Sequence, residues 1–295
     1  MSPKERYRQL CKKGQHTEIP VFLLPFWLDA VAENWDVCLY EEHNKILAVL
    51  PYCWKGIFFS KRIYLPDLSF YQSPIIFDLE EIDANKKQAI IHHLFTQLPL
   101  TIRSYFKFIP NLYSIDISVE GYKKDDYYTY IIEKHQATKP MSQHHQRYIQ
   151  KGINQGYSIA ESEHIEKSYA LIKSTFDRQY STVKINLTEF KSLVNTLKQE
   201  QKGKVIDCID RNNNILGSIL LVSDEKTSYY LMSGYNESFK NSGAIPFLLH
   251  HHIQECAKKK IDFNFCGSTR ESIANFFEGF GANKVPVAIW KKQII

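Results

Sequence analysis

Three consecutive histidines, His250 to His252, and the segment "KNSGAI" (240–245) just before them could both do chemistry. They invite two different readings: a metal site, or a seat for the phosphates of an activated carrier. Successive residues of a helix stand ~100° apart, so three histidines in a row cannot all face one ion. The apolar stripe of this helix, Ile245, Leu248, Leu249, Ile253, Cys256 and Ala257, takes in His252 and leaves His250 and His251 outside. The segment lacks the H-E-x-x-H spacing, no supporting carboxylate is expected nearby, and no metal is expected. The loop fits an anion better. Pro246 suits the first turn of a helix, so the amides of Gly243, Ala244 and Ile245 stand at its mouth without partners inside it. Gly243 permits a positive φ and keeps a side chain out of the approach. Lys240, Asn241 and Ser242 add donors, and the positive end of the helix favours negative charge. The expected anion-binding set is therefore Lys240, Asn241, Ser242, Gly243, Ala244 and Ile245; a helix opening on Ser-Gly for purely structural reasons is the alternative.

The elements that must hold this loop are mixed. A chain of 295 residues, 44% hydrophobic and 23% charged, suits two ordinary globular domains. In the first half, "FWLDAVAENW" (26–35) reads as a short helix after Pro25. "DVCLYEEHNKILAVLPYCW" (36–54) reads as a hairpin about a polar turn, and 83–98 as a helix. "LYSIDISVE" (112–120) and "YYTYIIEK" (127–134) read as strands, and "HQATKPMSQ" (135–143) as a linker. In the second half come a basic helix at 142–156, the strand "YSIAES", helices at 164–180 and 188–201, and three strands across 204–234. The loop and its helix follow, then "IDFNFCG" as a strand, "RESIANFFEGFG" as a helix and "VPVAIWKK" as a last strand.

Charge and cysteines narrow the classes. The net charge of +5 is uneven: residues 1–133 carry 15 Lys+Arg against 17 Asp+Glu, and residues 134–295 carry 22 against 15. The basic second half points to an anionic ligand, a phosphorylated carrier or RNA, with solubility as the plainer account. Six scattered cysteines without a C-x-x-C pair read as reduced thiols. The longest apolar stretch, 19–32, is interrupted by Pro20, Pro25 and Asp29 and is too short to span a bilayer. The polar start "MSPKERYRQLCKKGQ" offers no secretory leader, so a cytoplasmic protein is expected.

Several stretches together resemble a known family. The order strand (227–233), loop, helix, strand, helix is similar to the acyl-CoA-binding half of the GNAT acetyltransferase fold. "MSQHHQRYIQKGINQGYSI", "STFDRQY" with Arg178, "IDFNFCGS" and "IANFFEGFGA" resemble motifs of its Fem-type branch. "AVLPYCWKG" and "YLPDLSFYQSPIIF" resemble that branch's amino-terminal domain. The resemblance covers most of the chain through short motifs. It implies an α+β fold of two tandem GNAT-like domains, 1–135 and 136–295, each a mostly antiparallel mixed sheet flanked by helices, with the cleft at their interface. Two departures stand out. Counting from Lys240, Gly243 matches the fourth position of the usual phosphate loop, but Ile245 occupies the sixth, where glycine or alanine is usual. Phe277 stands where ordinary GNAT enzymes carry a proton-donating tyrosine; Fem-type relatives also tend to have phenylalanine there.

Acyl transfer to an amine needs a base and donors for the oxyanion. Asp262, Tyr235 and Glu237 are the candidates for proton traffic, all expected at the carrier-binding ends of strands; Asp262 also reads as an acceptor that orients a loop. Arg147 and Lys151, with His144, form a basic ridge that suits a substrate phosphate or carboxylate, or a solvated face. Arg178 reads as a carboxylate clamp or a structural ion pair, and Tyr71 as the first domain's contribution. The leading expectation is an N-acyltransferase with acyl-CoA as cosubstrate and a small or peptide-like amine as acceptor. One alternative is an aminoacyl-tRNA-dependent transferase acting on a cell-wall precursor, favoured by the basic half and Phe277, although the helical hairpin some such enzymes use for tRNA has no counterpart here. The other is a catalytically inactive binding protein that kept the fold.

Overall fold

The computed structural model describes residues 1–14, 19–57, 60–115, 117–134, 140–178, 183–268 and 270–293. The chain forms two units, one of Met1–Tyr128 with Pro286–Ile295, the other of Thr129–Val285. The division thus falls at 128/129 where the sequence suggested 135/136, and the final segment goes with the first unit. Residues 135–139 of the expected linker lie outside the described residues.

The first unit begins with α1 (Pro3–Lys12), where Ser2 and Glu5 form a capping box ahead of Pro3. Then come α2 (Pro25–Val31), β1 (Asn34–Glu42), β2 (Lys45–Lys55), β3 (Arg62–Tyr64), β4 (Ile75–Ile76), α3 (Ala84–Thr96) and β5 (Arg103–Lys107). The hairpin expected at 36–54 is β1–β2, turned by His43 and Asn44, both at positive φ. The helix expected at 26–35 stops at Val31, and Asn34 already opens β1. The strand expected at 112–120 is not one among the described residues. Pro110 opens a 3₁₀ turn that ends at Leu112, and the residues beyond stay irregular. β2 and β3 pair antiparallel, β3 and β5 parallel. β6 (Lys123–Ile132) and, near the end of the chain, β12 (Asn283–Gln293) each run through a division between the units. β12 pairs antiparallel with β5 from Ile289↔Lys107 to Gln293↔Arg103.

The second unit contains α4 (Gln143–Gln155), β7 (Ser158–Glu161), α5 (Ile165–Arg178), α6 (Leu187–Gln199), β8 (Gly203–Ile209), β9 (Ile215–Ser223) and β10 (Thr227–Tyr235). It closes with α7 (Ala244–Lys259), β11 (Asp262–Asn264) and α8 (Glu271–Glu278). Its strands follow the order β7-β8-β9-β10-β11, antiparallel except for the β10–β11 pair. Alternation along β8 sorts the helices onto two faces. Ile206 and Cys208 join the core cluster under α7, whereas Asp207 accepts a hydrogen bond from Ser168 of α5 on the other side. Both units are therefore mixed α/β, with mostly antiparallel sheets flanked by helices, the class expected. No disulfide joins any of the six cysteines. Among the described residues no helix is long and apolar enough to cross a membrane.

Candidate functional site

β10 is the strand around which the second unit's polar groups gather. It lies beside β11 only from Thr227↔Asp262 to Tyr229↔Asn264. Immediately after this stretch a bulge between Tyr230 and Met232 breaks its register with β9. Past that point β10 runs on to Tyr235, while the chain after Asn264 bonds elsewhere: Phe265 N–H donates to Tyr130 O of β6 at 2.9 Å. The two strands part, and aromatic rings stand at the parting. Tyr230 lies 6.2 Å from Phe277 of α8 and 6.3 Å from Phe265, and Phe265 stacks on Phe277 at 4.6 Å. The Tyr230 hydroxyl is hydrogen-bonded to Ser233 Oγ, and burial pushes it up to about 12. At neutral pH it is a proton donor. Tyr230 was not among the candidates, because only the bulge and the distant Phe265 and Phe277 mark it out from its neighbours in "YYLMSGY".

Three candidates come together at the far end of β10. Gly234 lies against the backbone of Leu171 and Ile172, so α5 approaches β10 where no Cβ intervenes. That approach delivers Arg178, the last residue of α5, to Tyr235 and Glu237. The Arg178 guanidinium pairs with Glu237 at 3.1 Å and stacks on the Tyr235 ring at 4.6 Å. It also donates to Thr175 Oγ1 at 2.8 Å and to Tyr235 O at 3.3 Å. Residues 179 and 180, expected to continue this helix, lie outside the described residues.

Other candidates are placed differently. Asp262 stands at the opposite end of β10 from Tyr235, eight residues away along the strand register, roughly 26 Å at strand rise. Its carboxylate accepts from Lys134 N–H at 2.9 Å, the loop-orienting role. The expectation that it shares one strand end with Tyr235 and Glu237 is corrected. Tyr71 is 2% exposed and packs among Phe22 and Phe70 in the core of the first unit, so it offers no surface. Arg147 is exposed, but Lys151 donates to Asn241 O at 2.7 Å and ties α4 to the loop before α7. The ridge is thus partly a fastening.

The cradle expected at 243–245 is more buried than the sequence suggests. Gly243 has the predicted positive φ of 78° and caps α7 without a side-chain hydrogen bond. Tyr148 of α4, however, lies so close that a Cβ on Gly243 would come within 2.5 Å of its ring. Ser242, Gly243 and Ala244 are buried, and Ala244 N–H donates weakly to Ser242 Oγ at 3.3 Å. Ile245 packs on Gly217 of β9, while Lys240 and Asn241 remain exposed. The glycine serves the close packing of two helices. Of the expected set, Lys240 and Asn241 are the exposed members.

The histidines also divide. His251 is exposed; His252 is buried between Ser228 and Glu255, so a supporting carboxylate exists three residues on, contrary to the sequence reading. Among the described residues no group of three or more His, Cys, Asp or Glu could hold a metal ion. In α4, His145 is buried against Phe276 and Phe280, its Nδ1 2.6 Å from Ser142 Oγ. Burial pushes it down to about 4, so it stays neutral.

Two mostly antiparallel units, each with one parallel pair, and a β10 that bulges and parts from its parallel neighbour give the fold that the resemblance to Fem-type and GNAT-like proteins implies. The comparisons with solved structures agree. The chain is similar to FemX, with a TM-score of 0.63 at 10% identity over 91% of each chain. It is similar to a conserved protein of unknown function from Bacteroides thetaiotaomicron, with a TM-score of 0.60 at 11% identity over the whole of both chains. The C-terminal domain of a lysylphosphatidylglycerol synthetase from Agrobacterium fabrum matches at a TM-score of 0.52 and 11% identity, over 84% of this chain and 81% of that one. No family model matches the sequence, and no curated protein does.

Proposed function

We propose that the protein is an N-acyltransferase of the Fem type, taking its acyl group as an aminoacyl ester on tRNA and passing it to the amine of a small or peptide-like acceptor. The observation that supports this choice of donor is the burial of residues 242–244 and the packing of Tyr148 on Gly243, which leave little room for the phosphates of an acyl-CoA. Likeness in fold to FemX and the positive second half support the same choice. The acyl-CoA reading keeps one support, the parting of β10 from β11, where a slender donor arm would pass. A cytoplasmic setting suits both readings, since the cysteines form no disulfide.

In this reading Tyr230 gives its proton to the leaving oxygen of the ester, the task Phe277 lacks a proton for. Arg178, held by Glu237 and Tyr235, receives the acceptor's carboxylate. The test is a gel shift with aminoacyl-tRNA across a salt series. Affinity should fall steeply with salt as phosphate contacts release counterions, and labelled amino acid should move to an amine. Saturable heat on titrating acyl-CoA, with no binding of charged tRNA, reverses the donor assignment. A ligand bound with no product from any amine supports the inactive alternative instead.

A further inference from the structure

A cavity of about 260 Å³ opens in the second unit near the start of β10, and Ser228 of β10 lines it together with His252, Glu255 and Cys256 of α7. Ser228 Oγ lies 2.8 Å from His252 Nε2, and His252 Nδ1 lies 3.1 Å from Glu255 Oε2. The direction of the protons along this row follows from chemistry. Burial pushes His252 down to about 4, so its imidazole is neutral. Burial raises Glu255, but Lys204 and His252 outweigh it and hold the carboxyl below its ordinary value. An ionised carboxylate has no hydrogen to give, so Nδ1 must carry the imidazole's one proton. Nε2 is then bare, and the serine hydroxyl donates to it at 2.8 Å in preference to Val222 O at 3.4 Å. A hydroxyl pointed into an imidazole whose other nitrogen is held by a carboxylate is a nucleophile joined to its base.

The rim adds selectivity. Lys198, Lys204 and Lys259 line the same cavity. Lys198 pairs with Glu161 at 3.4 Å and Lys204 with Glu255 at 3.5 Å, whereas Lys259 forms no ion pair among the described residues. One positive charge is therefore left over in the lining of the cavity. Ser228 is 2% exposed, so only a slim acyl group reaches its oxygen.

We propose that Ser228, His252 and Glu255 form a second reactive site, a serine nucleophile that cleaves a small ester carrying a negatively charged group. Ser228 Oγ bonds to the ester carbonyl carbon as His252 Nε2 takes the hydroxyl proton. The bond from carbon to the alkoxy oxygen breaks, and the alcohol leaves with that proton. Water then attacks the acyl-serine, its proton passing through His252 to Ser228 Oγ, and a carboxylic acid departs. Glu255 steadies the transient imidazolium. The site lies seven residues along β10 from Tyr235 and depends on neither reading of the transferase.

The experiment uses the full chain, a fluorophosphonate probe and two chromogenic esters, mono-p-nitrophenyl succinate and p-nitrophenyl butyrate. The probe should leave one adduct, mapped by peptide mass to Ser228, and the succinate ester should be cleaved faster than the butyrate. His252→Gln should slow both reactions about 10²–10⁴-fold, the range of a general base. Glu255→Gln, at a half-exposed position, should slow them while leaving the melting temperature in place. Lys259→Ala should abolish the preference for the anionic ester. The proposal is overturned if folded wild-type protein leaves Ser228 unlabelled at a probe concentration that saturates a reference serine hydrolase. Equal labelling of wild type and Glu255→Gln overturns it as well.

Discussion

Arg178 spends most of its donors inside the protein. Nε faces Glu237, Nη1 donates to Ser174 Oγ, and Nη2 serves both Thr175 Oγ1 and Tyr235 O. The carboxylate it is proposed to receive must therefore take the place of Glu237, which is the more exposed partner. Arg178→Ala should cost about 1 kcal/mol of stability, since the pair is partly solvated, and a thermal melt would measure it. Glu237→Gln should leave stability nearly unchanged and lower KM for a carboxylate-bearing acceptor. Tyr230→Phe should cut kcat of transfer about 10²-fold without changing the circular dichroism spectrum. Two histidines set a pH response. His145 and His252 are both pushed down to about 4 by burial, from an unfolded value of ~6.5. His145 faces His144, Ser142 and two phenylalanines; His252 faces Glu255, Ser228, Lys204 and Lys259. Between those two values the unfolded chain binds protons that the folded chain refuses. Their contribution is therefore intact above pH ~6.5 and lost as pH falls toward 4, and urea midpoints should fall over that window. His145→Phe should flatten part of the fall.

At the scale of elements, close approach explains what glycine does and why the loop before α7 is packed. Gly234 admits the backbone of α5 to β10, and Gly152 of α4 admits Phe247 of α7, whose ring would come within 2.6 Å of an added Cβ. Gly234→Ala should destabilise by about 1–3 kcal/mol as an overpacked contact, and a lowered urea midpoint would record it. In the loop before α7 the donors, the glycine and the proline were all visible in the sequence. What could not be seen is that Tyr148, far earlier in the chain, lies on Gly243, since no local pattern encodes a contact between two distant helices. The β1–β2 hairpin was legible because its turn residues are adjacent. His252 was read correctly as buried from the apolar stripe, yet its partner Ser228 belongs to a strand whose register only the folded sheet reveals. Glu255 was within reach, three residues on.

For the whole molecule, the sequence half that carries the positive excess is also the half in which the candidate groups gather, apart from Tyr71. The mixed α/β class and the mostly antiparallel sheets were readable from strand runs and helical spacing. The chain's path was not, because nothing in "VPVAIWKK" says which sheet it will join. It joins β5, and Val287, Ala288, Ile289 and Trp290 are buried there. Deleting 286–295 should therefore lower the melting transition of the first unit, and limited proteolysis should cut within 1–128 sooner than within the second unit.

The same strand fixes a timetable. Synthesis runs from the amino-terminal side at roughly 5–20 residues per second, so every residue of Thr129–Val285 has been joined before the strand that completes the earlier unit is finished. The earlier unit is then the one that must wait, holding the edge of β5 uncovered until the strand that pairs with it has emerged. Released chains truncated after Val285 should show a protease-resistant second unit and a first unit that is digested.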